Sequence, residues 1–83
     1  MTAIVKYYRK NHPTVYQLLL VESKKSLIRI VEEQASSISH FLQAIVKWDD
    51  NIGIYTANGD WKYKKLITTK NEYHESFKDY ETD

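Results

Sequence analysis

The stretch from residue 36 to residue 65, SSISHFLQAIVKWDDNIGIYTANGDWKYKK, carries the strongest structural signals of the chain. Its first part, residues 36–48, has apolar side chains at i, i+3, i+4, i+7 and i+10, the spacing of one face of an amphipathic helix. Ser36 or Ser37 would accept hydrogen bonds from the first helical turn. We therefore expect a central helix over residues 36–48. Its apolar face would consist of Ile38, Phe41, Leu42, Ile45 and Trp48.

The second part of this stretch predicts a β-hairpin. Asn58 and Gly59 form the dipeptide that is preferred in a two-residue type I′ turn, whose central residues both have positive φ. Counting outward from the turn places Tyr55, Lys62 and Lys64 together on an outer, basic face. The expected partners are Thr56 with Trp61, Ile54 with Tyr63, Ile52 with Lys65, Tyr55 with Lys62, and Gly53 with Lys64.

The first third of the chain is rich in β-branched and aromatic residues, which favours strands. We expect a meander of three strands, 4–8, 15–22 and 27–32, with a turn at residues 23–26. The second hairpin of this meander would be apolar on both faces, so the sheet would need cover on both sides or a second copy of the chain as a partner. The alternative is helical. Pro13 suits a first helical turn, and apolar residues recur with helical spacing from Leu27 to Gln34.

The tail, residues 71–83, is acidic and aromatic. Tyr73, Phe77 and Tyr80 lie at i, i+4 and i+7, which predicts a short docking helix at the C-terminus. Together these segments predict one α+β domain over residues 1–83, with an antiparallel sheet of four or five strands, a central helix and a short C-terminal helix.

Residues 26–65 also allow a different fold. They can be interpreted as a helix, a turn, a second helix that opens with Ser36-Ser37-Ile38-Ser39-His40, and a hairpin at Asn58-Gly59. This order resembles a winged helix-turn-helix over about half of the chain. The resemblance implies a DNA-binding fold that reads bases with its second helix.

Length and composition limit the class of protein. The chain has 83 residues, of which 42% are hydrophobic and 28% charged, as expected for one small globular domain. It contains no cysteine, which excludes disulfides, thiolate metal sites and a cysteine nucleophile. The longest apolar run, residues 18–21, is too short for a membrane span or a signal-peptide core. We expect a cytoplasmic protein without a membrane partner.

The residues do not combine into a recognisable catalytic or metal site. His12, His40 and His74 are far apart in sequence, and none has a second metal ligand at helical or strand spacing. Ser36 could approach His40 at i, i+4, but no nucleophile elbow or oxyanion loop accompanies the pair. The two glycines are both assigned to turns, so a phosphate-binding glycine loop is absent. We therefore expect no enzyme activity, no metal and no cofactor.

Charge is sorted along the chain, although the net charge is only +1. Residues 1–29 contain six basic residues and one acidic residue, and residues 71–83 contain five acids and one lysine. Such blocks give surfaces of opposite sign and concern partners rather than the fold.

The sequence therefore predicts a non-enzymatic protein that occupies a macromolecular partner, as small inhibitors, adaptors and anti-host proteins of phages or mobile elements do. A protein partner is favoured over nucleic acid because the acids nearly balance the bases. The alternative is a nucleic-acid-binding regulator that uses Lys62 and Lys64 or a winged helix. The residues expected to contact the partner are Tyr55, Lys62, Lys64, Lys65, Tyr7, Arg9 and Lys10.

Overall fold

The structure is a computed structural model that describes residues 1–65. Five strands form one antiparallel sheet in the order β2-β1-β3-β4-β5. One helix lies between β2 and β3 in the chain. The expected α+β class with a small antiparallel sheet is confirmed. The elements are β1 (Thr2–Arg9), β2 (His12–Leu20), α1 (Lys24–Ser37), β3 (Phe41–Trp48), β4 (Asn51–Thr56) and β5 (Trp61–Lys65).

The helix lies earlier in the chain than the sequence pattern indicates. α1 includes residues 27–32, for which the preferred prediction was a third strand, so the helical alternative is correct there. Ser23 starts α1 because its side-chain oxygen accepts a hydrogen bond from the backbone N–H of Ser26 at 3.2 Å. Leu27, Val31 and Ala35 follow at four-residue intervals and are all buried.

The predicted central helix over residues 36–48 is wrong, because residues 41–48 form the strand β3. This strand lies in the middle of the sheet, and Ala44, Ile45 and Val46 are buried in succession. A strand that is buried on both faces has a continuous apolar run instead of an alternating pattern. The apolar residues of this segment therefore satisfied the helical spacing as well.

The sheet has two different faces. We call the face that packs on α1 the helix face and the opposite one the open face. On the helix face, Leu27 and Val31 of α1 join the buried side chains of the inner strands, which are Ala3, Val5, Tyr7, Ala44, Val46 and Trp48. On the open face a second, smaller cluster forms from Tyr8, Ile45 and Ile52, with Ile54 against it. Among residues 1–65 no helix packs on the open face.

The β4–β5 hairpin has its turn at the predicted place but a different register. Gly59 has φ 86°, whereas Asn58 does not have positive φ, so the turn is not type I′. The N–H of Gly59 donates to the carbonyl of Thr56 at 2.9 Å, and Thr56 donates to the carbonyl of Asp60 at 3.0 Å. This is a three-residue loop with a glycine bulge, and it moves the pairing by one residue. Tyr55 therefore pairs with Trp61.

Aromatic side chains cover the part of the helix face that lies over β4 and β5. Trp61 and Tyr63 are stacked at 5.6 Å between ring centroids, and Trp48 meets Tyr63 edge-on at 6.2 Å. The indole N–H of Trp61 donates to a carboxylate oxygen of Glu32 on α1 at 3.0 Å. This hydrogen bond joins the helix to the outer strand of the sheet.

Two further sequence predictions concern the winged helix and the C-terminal docking helix. The winged helix requires a second helix at residues 36–48, where the structure has β3, so that fold is wrong. The docking helix predicted at residues 71–83 lies outside the described residues. Within residues 1–65, no helix is both long and apolar enough to cross a membrane.

The two glycines are expected to resist substitution for different reasons. A Cβ at Gly53 would lie 3.1 Å from ring carbons of both Trp48 and Trp61, so Gly53→Ala should lower the free energy of unfolding by about 1–3 kcal/mol. A Cβ at Gly59 would have no atom within 4 Å. Gly59→Ala should therefore lower the free energy of unfolding by about 1–2 kcal/mol through the positive φ alone. Chemical denaturation of the variants measures both values.

Gly59→Asn is the matched control for this interpretation. Asparagine tolerates the left-handed region, so Gly59→Asn should be clearly more stable than Gly59→Ala. A Gly53→Ala variant as stable as the parent would show that the two indole rings do not restrict this position.

Candidate functional site

The register of the β4–β5 hairpin separates the residues that were expected to form one basic face. Tyr55 lies on the helix face, where its ring is 4.9 Å from that of Trp61 and 5.9 Å from that of Phe41. Lys62 and Lys64 lie on the open face and are exposed. The prediction that Tyr55 lies beside these lysines is wrong because the loop has one residue more than a type I′ turn. The backbone of Lys65 pairs with Asn51 at the end of the described chain.

Tyr7, expected to contact a partner, is instead a core residue. It lies on the helix face with 1% of its surface exposed, and its hydroxyl donates to Oε1 of Gln17 at 2.7 Å. Burial raises the pKa of Tyr7 to about 12. The strand alternation explains the error, since neighbouring residues of β1 point to opposite faces and Tyr8 has the open-face position.

Arg9 and Lys10 do lie in a surface pocket, at the end of the sheet where β1 turns into β2. We call this pocket the cup. Its volume is about 830 Å³. The residues that line it are Lys6, Tyr8, Arg9, Lys10, Asn11, His12, Thr14, Tyr16, Leu42 and Gln43.

The cup forms where the sheet is irregular. Around Tyr8 and Arg9 the pairing of β1 shifts against both neighbours, because β2 has one extra residue before Val15 and β3 has the extra residue Leu42. Asn11 closes the β1–β2 connection with φ 58°. Bulges of this kind bend a sheet locally and are frequent beside binding sites. Here they place side chains from three strands around one hollow.

The cup is positively charged. Its lining includes Lys6, Arg9 and Lys10, and no Asp or Glu is found among the described residues that line it. Lys6 is only 4% exposed, and its ammonium lies 5.2 Å from the ring centroid of Tyr8 and 5.4 Å from that of Tyr16. A cation held against two aromatic rings is favourable and ordered. Burial raises the pKa of the Tyr8 hydroxyl, and the neighbouring Lys6 partly offsets this effect.

A second surface feature begins at Tyr16, which also lines the cup, and continues along the same two strands. We call Ile4, Tyr16, Leu18 and Leu20 the apolar strip. Leu18 and Leu20 are 69% and 82% exposed, and Ile4 is paired directly with Leu18. The strip lies on the open face at β2, which is an outer strand of the sheet that residues 1–65 form. The apolar run at residues 18–21 is the sequence signal for it, but a sequence cannot show which of these leucines stay exposed.

Acidic residues are excluded from the sheet. None of the five strands contains Asp or Glu, and the acids of residues 1–65 lie in α1 or in the connections. The open face carries four lysines on three of its strands, namely Lys6 on β1, Lys47 on β3, and Lys62 and Lys64 on β5. This distribution of charge along the strands favours a negatively charged partner.

The serine and histidine side chains have structural roles in this region. Ser36 donates to the carbonyl of Glu33 at 2.7 Å, and Ser37 to that of Gln34 at 2.9 Å, at the C-terminal end of α1. The rings of His12 and His40 stack on each other at 4.9 Å. Within residues 1–65 no three His, Cys, Asp or Glu side chains are grouped to hold a metal ion.

Comparison of the chain with protein-family models, with curated proteins and with solved structures finds no match. The cup and the apolar strip are the two surface features of residues 1–65 from which a function can be inferred.

The buried Tyr7 hydroxyl makes stability sensitive to alkaline pH. An unfolded tyrosine ionises near pH 10, whereas Tyr7 keeps its proton in the folded chain up to about pH 12. The stability that this difference contributes is present below pH 10 and lost as the pH rises toward 12. The free energy of unfolding should therefore fall between pH 10 and 12. Tyr7 contributes at most about 1.4 kcal/mol per pH unit to this decrease.

Denaturant titrations from pH 8 to 12 test this expectation in the parent and in Tyr7→Phe. The variant should lose less stability than the parent between pH 10 and 12. At pH 8 its free energy of unfolding should be lower than that of the parent, because Gln17 loses its hydrogen-bond donor. Equal pH dependence of the two proteins would show that Tyr7 ionises freely in the folded chain.

Proposed function

We propose that the chain is a small, non-enzymatic binding protein that acts by occupying an acidic protein partner with the open face of its sheet. Inhibitors and adaptors work in this way, including anti-host proteins encoded by phages and mobile elements. The observation that carries the proposal is the apolar strip. Leu18 and Leu20 are large apolar side chains, more than two-thirds exposed, side by side on one face. Grouped apolar exposure of this kind is typical of interaction sites.

Charge supports an acidic partner. The strip shares the open face with lysines of β1, β3 and β5, and none of the five strands contains Asp or Glu. Interfaces commonly combine an apolar centre with a charged rim that increases the association rate and selects the partner. β2 is an outer strand of the sheet that residues 1–65 form, and the outer edge of such a strand can receive a strand of the partner.

Nucleic acid is the second candidate partner, and a particular arrangement favours it. Lys47 on β3 and Lys64 on β5 are both cross-strand neighbours of Ile52 on β4, and Lys62 lies next along β5 on the same face. This row of positive charge suits a phosphate backbone. Titration of labelled duplex and single-stranded DNA at low and moderate salt, with the Lys62→Ala/Lys64→Ala double variant, distinguishes this alternative.

The main proposal is tested by affinity capture from an extract of the source cells, followed by direct binding of the captured protein. Leu18→Asp should weaken binding at least about tenfold, because it puts a charge into the apolar contact. Lys64→Glu should weaken binding and reduce its salt dependence. Lys25→Glu on the exposed side of α1 is the charge-matched control and should bind like the parent.

Other results would change the conclusion. If Leu18→Asp and Lys25→Glu bind equally well, the open face is not the interface. If nuclease treatment abolishes the capture, the partner is nucleic acid. If the protein captures only itself and its mass in solution doubles with concentration, the strip joins two copies of this chain.

A further inference from the structure

The centre of the open face is buried, although no helix or strand among residues 1–65 packs on it. We call Lys6, Tyr8, Ile45 and Ile52 the central patch. We propose that the tail, residues 71–83, folds back over the central patch, with its aromatic side chains against Ile45 and Ile52. This inference goes beyond the proposed function, because it concerns a segment of the chain itself and not the partner.

The burial of the central patch is the observation that carries this inference. Ile45 and Ile52 are 0% and 1% exposed, and Tyr8 is 8% exposed. The hydroxyl oxygens of Tyr8 and of Thr56, which lies on the same face, are also shielded from solvent. An uncovered face of an antiparallel sheet is in contact with water, so its side chains stay partly exposed. Burial this complete therefore requires a cover.

The exposed residues around the patch show how far the cover extends. At one edge of the open face, Leu18 and Leu20 of β2 are 69% and 82% exposed. At the other edge, Lys62 and Lys64 of β5 are exposed. The cover therefore lies over β1, β3 and β4, which together span about 10 Å, about the width of one helix. It leaves the apolar strip exposed.

The tail follows β5 closely enough to reach the patch. The end of β5 lies beside the patch, because Lys64 pairs with Ile52. Residues 66–70, which connect β5 to the tail, can span at most about 17 Å. β3 is two strands away from β5, a distance of about 10 Å. The connection is therefore long enough to bring the tail over β3.

The composition of the tail fits the patch and its surroundings. Tyr73, Phe77 and Tyr80 have the spacing of one side of a helix, which would present three aromatic rings to the isoleucines of the patch. The tail contains five acids and one lysine, whereas none of the five strands contains Asp or Glu. The exposed Lys62 and Lys64 at the rim of the patch favour an acidic segment there.

A second copy of the chain is not needed to explain the burial. The exposed fractions given above are those of a single copy, and the patch is already buried in it. A segment of the same chain also binds without the loss of translational freedom that the association of two molecules requires. The acidic, aromatic tail is therefore favoured as the cover.

Methyl NMR of the full chain with a dissolved nitroxide tests the cover, since the nitroxide relaxes the methyl groups that it can approach. In the parent, Ile45 and Ile52 should be as protected as Val31 of the main core. Leu18 should relax strongly, because it is exposed. Phe77→Asp should raise the relaxation of the two isoleucines towards that of Leu18, because it puts a charge into the apolar contact.

Thr82→Asp is the matched control. It adds the same charge to the tail outside the aromatic spacing, so Ile45 and Ile52 should stay protected as in the parent. The methyl groups of Val31 should stay protected in both variants, which distinguishes loss of the cover from unfolding.

A spin label locates the tail directly. Because the chain has no cysteine, Ser76→Cys provides a single labelling site. The label should broaden the amide signals of Ile45 and Ile52 and affect those of α1, on the other side of the sheet, much less. In a mixture of spin-labelled chain without ¹⁵N and unlabelled ¹⁵N chain, this broadening should be absent, because the contact lies within one chain.

The inference is overturned if Ile45 and Ile52 relax as strongly as Leu18 in the parent, or if they stay protected in a folded Phe77→Asp variant. It is also overturned if the label at residue 76 does not broaden their signals, whether or not that variant folds. Broadening in the mixed sample would assign the cover to a second copy. None of these measurements uses a captured partner, so the tail contact and the proposed function can fail separately.

Discussion

The packing of α1 on one face of the sheet is the contact on which the rest of the structure depends. α1 contacts β1 and β3, and its buried residues Leu27, Val31 and Ala35 form one side of the main core. A sheet of five strands is wider than one helix, so β4 and β5 need a different cover. Trp48, Trp61 and their aromatic neighbours provide it on the helix face, and the Glu32 carboxylate fastens them to the helix. The opposite face carries the apolar strip and the lysines.

How far the sequence predicts this fold depends on how local each signal is. The strand 4–8 and the position of the 58–59 turn depend on neighbouring residues, and both agree with the structure. The segment 36–48 is different, because its apolar residues satisfy helical spacing and also fill both faces of a central strand. Only the order of strands in the sheet decides between the two, and this order is a long-range property. For α1, the polar run at 23–26 contains a helix cap that was interpreted as a turn.

The same difference between local and long-range signals applies to the residues of the candidate site. Arg9 and Lys10 are close in sequence to the turn that forms the cup, and the structure places both in its lining. Their predicted contact with a partner stays a prediction. Tyr7 and Tyr55 were misplaced because a face assignment needs the exact register, and one residue reverses it. Asn58-Gly59 occurs in two-residue loops and in three-residue loops, so the sequence alone does not decide the length of the loop. Lys6 belongs to the basic block of residues 1–29, but its burial between Tyr8 and Tyr16 depends on the pairing of β1 with β2.

The cup and the apolar strip are connected through Tyr16. This residue lines the cup with one part of its ring and belongs to the strip beside Leu18 on β2. A substitution at Tyr16 would therefore change both features, whereas Leu18 and Leu20 belong to the strip alone and Arg9 and Lys10 to the cup alone.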